Sequence, residues 1–258
     1  MGAVQTQRIL QVHHWNNELF SFRTTREQAF RFENGHFVMI GLEVEGKPCL
    51  RAYSIASPNW DDELEFFSIK VPDGTLTSRL RHLAPGDSVL IGTKPVGTLV
   101  LQDLRPGRRL FLFCSGTGLA PFLSIIRDLE VYEHFEQVIL VHSVRRVADL
   151  AYRSYIETEL PQHEYLGAQI AAQLRYQPVV TREAFEVQAR IPEQITSGQL
   201  TEHLGIEPLD PASDRAMICG STAMLRDTRI ALESCGFLGS ASQGEPGDFV
   251  IERAFVER

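Results

Sequence analysis

Gly116-Thr117-Gly118-Leu119-Ala120-Pro121 directly follows the apolar run RLFLFC. Glycines at a strand-to-helix turn let backbone approach a phosphate closely. The helix start beyond them offers unpaired amides and the positive end of a dipole. Pro121 suits a first helical turn, where its missing N–H costs nothing. The third glycine of the dinucleotide fingerprint is absent, and two glycines alone also suit a plain tight turn. Arginines at neighbouring strand ends bear on the same chemistry. QVILVHS runs into Val144-Arg145-Arg146, QPVVT ends at Thr181-Arg182, and Arg190 follows. Ligands of parallel sheets sit beyond the carboxyl ends of the strands. Arginines there can converge on a ribose 2′-phosphate, whereas an unphosphorylated ribose calls for an acidic residue. Taken singly, each arginine also reads as a solvated charge.

Earlier in the chain, Arg51-Ala52-Tyr53-Ser54 is followed by Phe67-Ser68-Ile69-Lys70 and by Gly74-Thr75-Leu76-Thr77. Alone, the first of these reads as an ordinary edge strand. Together they suit a flavin. Arginine forks onto a pyrophosphate, an aromatic ring stacks on the flavin, and a neighbouring hydroxyl reaches a ring nitrogen. Amides opening a helix over Gly74–Leu83 cap the same pyrophosphate. Of the four cysteines, Cys219 has the best case for a role, since it ends the buried run AMICG before Gly220-Ser221. Cys114 and Cys235 read as core or surface thiols. No CxxC or other metal spacing is present. The eight histidines lack a matching serine or cysteine motif, and only His142, at the end of a buried run, invites inspection.

These residues need elements to hold them. The first hundred residues carry short runs rich in β-branched and aromatic residues, RILQVHHW, LFSFRTT, HFVMIGLEV, LEFFSIKV and SVLIGT. Asn, Gly, Pro and Asp signals separate them, which predicts an antiparallel barrel or sandwich. After Leu104-Arg105-Pro106-Gly107, strand and helix alternate. RLFLFC, QVILVHS and AMICG are almost continuously apolar, as strands buried on both faces of a parallel sheet are. Helices are expected over Ala120–Glu130, Ala151–Leu160, Gly198–Leu204 and Thr222–Ser234. The reading is a β plus α/β protein of two domains: an antiparallel barrel over residues 1–103 and a parallel-sheet α/β domain over 104–258.

Composition bounds the function. The 258 residues are 43% hydrophobic and 22% charged, which excludes wholesale disorder. A net charge of −8 argues against nucleic acid or an anionic membrane as main partner. No apolar stretch suits a signal peptide or a membrane span, and the free thiols fit the cytoplasm.

The ordered set RAYS, GTLTSRL, GTGLAP, Cys219-Gly220 and the closing AFVER resembles the ferredoxin(flavodoxin)–NADP+ reductase family, most nearly its bacterial subclass. The resemblance spans essentially the whole chain. It implies that Arg51, Ala52, Tyr53 and Ser54 bind FAD, with Tyr53 stacked on the ring and Ser54 near its reactive nitrogen. It implies that Phe67, Ser68, Ile69 and Lys70 line the flavin, and that Gly74, Thr75, Leu76 and Thr77 hold its pyrophosphate. Gly116, Gly118, Gly220 and Ser221 would face the nicotinamide nucleotide, with Thr117 between the cofactors and Cys219 beside the nicotinamide. Val144, Arg145, Thr181, Arg182 and Arg190 would hold the 2′-phosphate end. Ala254 would lie at the flavin face and Phe255 on the FAD adenine. Plastid-type relatives end in a tyrosine there, whereas this chain continues to Arg258.

The reading is therefore an FAD enzyme passing hydride between NADP(H) and flavin, and single electrons to or from ferredoxin or flavodoxin, as a monomer without a metal. Its rivals are a non-catalytic flavin-binding redox subunit and the reductase component of an oxygenase. Hydride transfer needs positioning more than acid–base groups, which suits a site short of carboxylates.

Overall fold

The computed structural model describes residues 3–71 and 74–253. Six strands make the first sheet: β1 (Val4–His14), β2 (Leu19–Thr25), β3 (Phe37–Val44), β4 (Lys47–Ser54), β5 (Glu63–Ile69) and β6 (Ser88–Gly92). Every pairing is antiparallel, in the order β4-β3-β6-β1-β2-β5. The sheet curls until Ile55, just past β4 on one edge, bridges Phe66 on β5 at the other. The curl is driven by side chains that must leave water. Phe20, Phe22, Ile40, Phe66 and Ile91 are all buried in one cluster inside it, and each contributes about 1.5–3 kcal/mol of transfer free energy. Chain reversal between β3 and β4 uses Glu45-Gly46, both at positive φ (53° and 72°), as a two-residue hairpin requires.

The second sheet has five parallel strands: β7 (Arg109–Ser115), β8 (Gln137–Val144), β9 (Leu174–Val180), β10 (Asp214–Gly220) and β11 (Phe249–Arg253), ordered β11-β10-β7-β8-β9. Helices cover both faces. On one side lie α2 (Leu119–Ile125), α3 (Leu129–His134) and α4 (Gly167–Gln173); on the other α5 (Ile191–Ser197), α6 (Gln199–Leu204) and α7 (Thr222–Ser234). A short α1 (Thr77–Leu80) belongs to the first half. The period of two in β7 serves both layers: Leu110, Leu112 and Cys114 pack towards α2, while Phe111 and Phe113 pack towards α7. This explains the unbroken apolar run seen in the sequence.

Strand order reverses between β7 and β10. That opens a crevice beyond their carboxyl ends, where Gly116-Thr117-Gly118 and Gly220-Ser221 emerge. At the opposite end of the same two strands, Arg109 and Asp214 form a buried bidentate pair, with Nε–Oδ1 at 2.6 Å and Nη2–Oδ2 at 2.5 Å. Arg109 also donates to the carbonyls of Glu207 and Pro208. The two sheets share one core across their seam, for Leu19, Phe67 and Leu99 pack in the same cluster as Leu112, Leu119 and Ile126.

Three helical expectations change. The run Ala120–Glu130 breaks into α2 and α3 because Asp128 turns extended and its side chain accepts from the Glu130 amide. Ala151–Leu160 becomes helical only at Arg153, past Tyr152 at φ 62°, and Tyr155–Glu159 runs on as a π-helix before Pro161. The helix expected over Gly74–Leu83 is only α1, so it has little macrodipole to offer. α5 escapes the sequence reading because Pro192 looks like a breaker, yet it occupies the first turn, where proline is tolerated. α4 and β11 were not anticipated either.

Candidate functional site

A cleft opens on the seam between the sheets. Ala52, Tyr53 and Ser54 of β4 form one wall, with Phe67, Ser68 and Ile69 of β5 beside them. Thr117 and Ala120 reach in from the second sheet. β4 is an edge strand, which leaves Arg51 and Ala52 exposed while Tyr53 turns its ring inward at 5% exposure. The Ser68 hydroxyl lies 3.4 Å from the Tyr53 hydroxyl. Burial pushes the Tyr53 phenol up, partly offset by Ser68 and Arg51, so the ring stays neutral.

The neighbouring residues divide. Gly74 and Thr75 lie at the surface, whereas Leu76 and Thr77 turn into the barrel core, and the Thr77 hydroxyl faces the Val71 carbonyl at 3.4 Å. Lys70 points away from the cleft and donates to the Asn16 carbonyl at 2.7 Å.

The nucleotide crevice is built by close approach. A Cβ on Gly118 would lie 2.3 Å from the Cys219 carbonyl oxygen, and one on Gly220 would lie 2.3 Å from the Ser115 hydroxyl. Only glycine lets the two loops touch. The Ser221 amide donates to that same Ser115 hydroxyl at 3.2 Å, and the Ser221 hydroxyl caps α7 by accepting from the Met224 amide. Ser221 thus opens a helix whose amides face the crevice. Gly116, at φ 54°, presents its carbonyl to His142 Nε2 at 3.2 Å. That carbonyl can only accept, so Nε2 carries the proton, and Nδ1 accepts from the Tyr176 hydroxyl at 3.2 Å. Full burial drops the His142 pKa to about 4, against a small opposing effect of Gly116. His142 is a neutral brace for the glycine loop.

Arg145 and Arg182 are neighbours, since the Arg182 amide donates to the Arg145 carbonyl at 3.0 Å. Arg190 follows where the chain folds back, with the Val180 amide bonded to the Val187 carbonyl, and it leads into α5. All three are exposed, and among the described residues none forms an ion pair. Val144 and Thr181 do not join them. Val144 is 5% exposed in a small apolar cluster, and the Thr181 hydroxyl bonds the Val144 carbonyl.

Cys219 is fully buried, in register with Cys114 of β7 and Glu252 of β11. Burial pushes its thiol well above the usual range, and Glu252 and Cys114 add to this, so it is no nucleophile. Glu252 is the residue that sequence reasoning missed. It is 9% exposed, and Oε2 accepts from the Thr98 amide at 3.1 Å. Oε1 has no partner among the described residues. Burial lifts its pKa to about 7, against the lowering effect of Thr98. Its only sequence signal was a carboxylate closing the apolar run FVIE. Ala254 and Phe255 lie outside the described residues.

The donors fit the two expected groups. An aromatic and hydroxyl-lined cleft on an edge strand suits a flavin ring. A glycine cradle at a strand-order reversal, with unpaired guanidinium groups at the next strand ends, suits a phosphorylated dinucleotide. Among the described residues, no cluster of metal-ligating side chains occurs and no helix is long and apolar enough to cross a membrane.

Residues 8–100 match the family described as Oxidoreductase FAD-binding domain, and residues 112–229 the Oxidoreductase NAD-binding domain. The chain is 57% identical over 258 residues to a ferredoxin–NADP reductase of Pseudomonas aeruginosa and 55% identical to one of Azotobacter vinelandii, covering 100% of each chain in both cases. It is 50% identical over 251 residues to a flavodoxin/ferredoxin–NADP reductase of Rhodobacter capsulatus, covering 97% of this chain and 93% of that one. Among solved structures, a ferredoxin NADP+ reductase of Neisseria gonorrhoeae with bound FAD and NADP superposes with a TM-score of 0.88 at 30% identity, over 98% of this chain and 99% of the other. A seam cleft and a glycine-lined crevice thus sit in a chain that belongs to the ferredoxin–NADP reductase family of FAD-dependent oxidoreductases.

Proposed function

We propose that residues 1–103 hold FAD, that residues 104–258 hold NADP(H), and that the seam cleft is where hydride passes between them. FAD, when bound, supplies a ring that takes up a hydride and gives up electrons singly. Tyr53 stacks on one face of that ring, Ser54 donates towards its edge, and Arg51 with the Gly74–Thr77 turn holds the pyrophosphate. Gly116, Gly118, Gly220 and Ser221 seat the dinucleotide, and Arg145, Arg182 and Arg190 grip its 2′-phosphate. Electrons leave to a separate small carrier, a ferredoxin or flavodoxin. The chain's work is to bring two rings together and keep water out, which can supply several kcal/mol of the barrier reduction.

One observation carries this reading: Thr117 and Ala120 of the second sheet line the same cleft as Tyr53 and Phe67 of the first. Anaerobic stopped-flow mixing with NADPH or NADH, followed by a ferredoxin or flavodoxin, tests it. NADPH should bleach the flavin much faster than NADH. Arg182→Ala should weaken NADPH by about 1.5–3 kcal/mol and leave NADH nearly untouched. Equal weakening of both nucleotides would remove the arginines from the phosphate.

A further inference from the structure

Tyr152 has no part in the site described so far, yet its backbone is unusual. Among the described residues only Glu45 and Tyr152 combine a side chain with positive φ, and Glu45 occupies a hairpin that calls for it. Tyr152 lies in no hairpin and is 5% exposed. A bulky residue stays in this region only when its surroundings dictate it.

Those surroundings belong to the other sheet. The Tyr152 hydroxyl donates to Glu65 Oε1 on β5 at 2.8 Å. Its ring meets Phe67 edge-on, with centroids 5.3 Å apart and planes at 82°, and packs against Trp15 at 4.4 Å. Arg127, just beyond α2, holds the same carboxylate from the other side: one nitrogen donates to the Ala56 carbonyl and lies 3.5 Å from Glu65 Oε2, while Nε donates to the Leu123 carbonyl. Glu65 and Phe67 are two residues apart on β5 and share a face. Phe67 lines the cleft from the first sheet, and α2 carries Ala120 into it from the second. The Tyr152–Glu65–Arg127 clamp therefore ties together the elements that form the two walls.

We propose that Tyr152 is a positioning residue for hydride transfer: its strained backbone, its bond to Glu65 and its contact with Phe67 fix the spacing of the two walls, and so the approach of nicotinamide to flavin. This rests on the function proposed above. A small error in such spacing slows transfer steeply without touching groups that bind the ligands.

Tyr152→Ala removes the clamp, Tyr152→Phe keeps the ring and loses the bond, and Glu65→Gln keeps the shape and loses the charge. Three readouts separate positioning from mere stability: single-turnover flavin reduction by NADPH, NADP+ affinity, and tryptophan emission of the cofactor-free protein. Both tryptophans report the seam, since Trp15 packs on Tyr152 and the Trp60 indole donates to the Arg127 carbonyl. At temperatures where each variant is folded, Tyr152→Ala should reduce flavin about tenfold more slowly, with NADP+ affinity within about twofold and shifted emission. Tyr152→Phe should fall between, about threefold below wild type. If Tyr152→Ala does not fold, Tyr152→Phe and Glu65→Gln carry the test, each expected to lower the rate by about threefold. A wild-type rate in every folded variant, or a loss confined to NADP+ affinity, would overturn the clamp alone. Wild-type protein that NADPH cannot reduce would overturn the proposed function along with it.

Discussion

Glu252 and His142 are both buried beside the nucleotide crevice, and they answer to pH in opposite senses. The Glu252 carboxyl rises from 4.5 to about 7 on folding, so the native state takes up a proton between those values. Stability must therefore fall as pH rises through that window, by roughly 3 kcal/mol in all. Glu252→Gln should leave the unfolding free energy near pH 4.5 almost unchanged and raise it most at pH 8. Urea titrations at the two pH values measure this, and an equal effect at both would mean that Glu252 is not held neutral. His142 falls from 6.5 to about 4, so the unfolded chain takes up the proton there and stability drops as pH falls through that range. His142→Gln keeps a donor for the Gly116 carbonyl and should flatten that acid limb. Activity should show no titration near pH 6.5 traceable to His142, because the native imidazole stays neutral.

The paired strands β7 and β10 carry the crevice at one end and the Arg109–Asp214 pair at the other. Removing one partner of a buried ion pair strands the other charge, at a cost of about 3–5 kcal/mol. Asp214→Asn should thus lower thermal stability strongly while NADP+ affinity of the folded fraction stays normal; a selective loss of nucleotide affinity would refute the separation of the two ends. Elements of this kind were legible in the sequence because their apolar runs are nearly unbroken and alternate with helical stretches. RLFLFC, QVILVHS and AMICG could only be buried parallel strands, and the Gly-Thr-Gly turn followed from them. Illegible were features whose cause is tertiary. Tyr152 adopts its backbone only because β5 offers Glu65 and Phe67, β11 pairs only because β10 is already in place, and Glu252 becomes a site residue only through that pairing. The bond of the Lys70 ammonium to the Asn16 carbonyl has the same kind of cause, since the turn at Asn16 is brought to it by the fold. RAYS and FSI, which line the seam cleft, stood out in the sequence because each run pairs aromatic and hydroxyl residues.

At the scale of the whole molecule, charge decides how an electron carrier arrives. The net charge is −8, with 10 Lys and Arg against 12 Asp and Glu in residues 1–103, so an acidic carrier must find a local basic face against long-range repulsion. Carrier reduction should weaken as salt shortens the Debye length to about 8 Å; a rate that is flat or rising with salt would place docking elsewhere. The four cysteines carry a further consequence. An oxidant attacks thiolate rather than thiol, and needs access to it. Cys114 and Cys219 are buried and held protonated, whereas Cys49 and Cys235 are partly open to solvent. Peroxide should therefore mark Cys49 and Cys235 first, with mass spectrometry finding the inner pair intact until the fold itself opens. The sulfur beside the proposed nicotinamide site would then outlast the outer pair as the protein ages under oxidative damage.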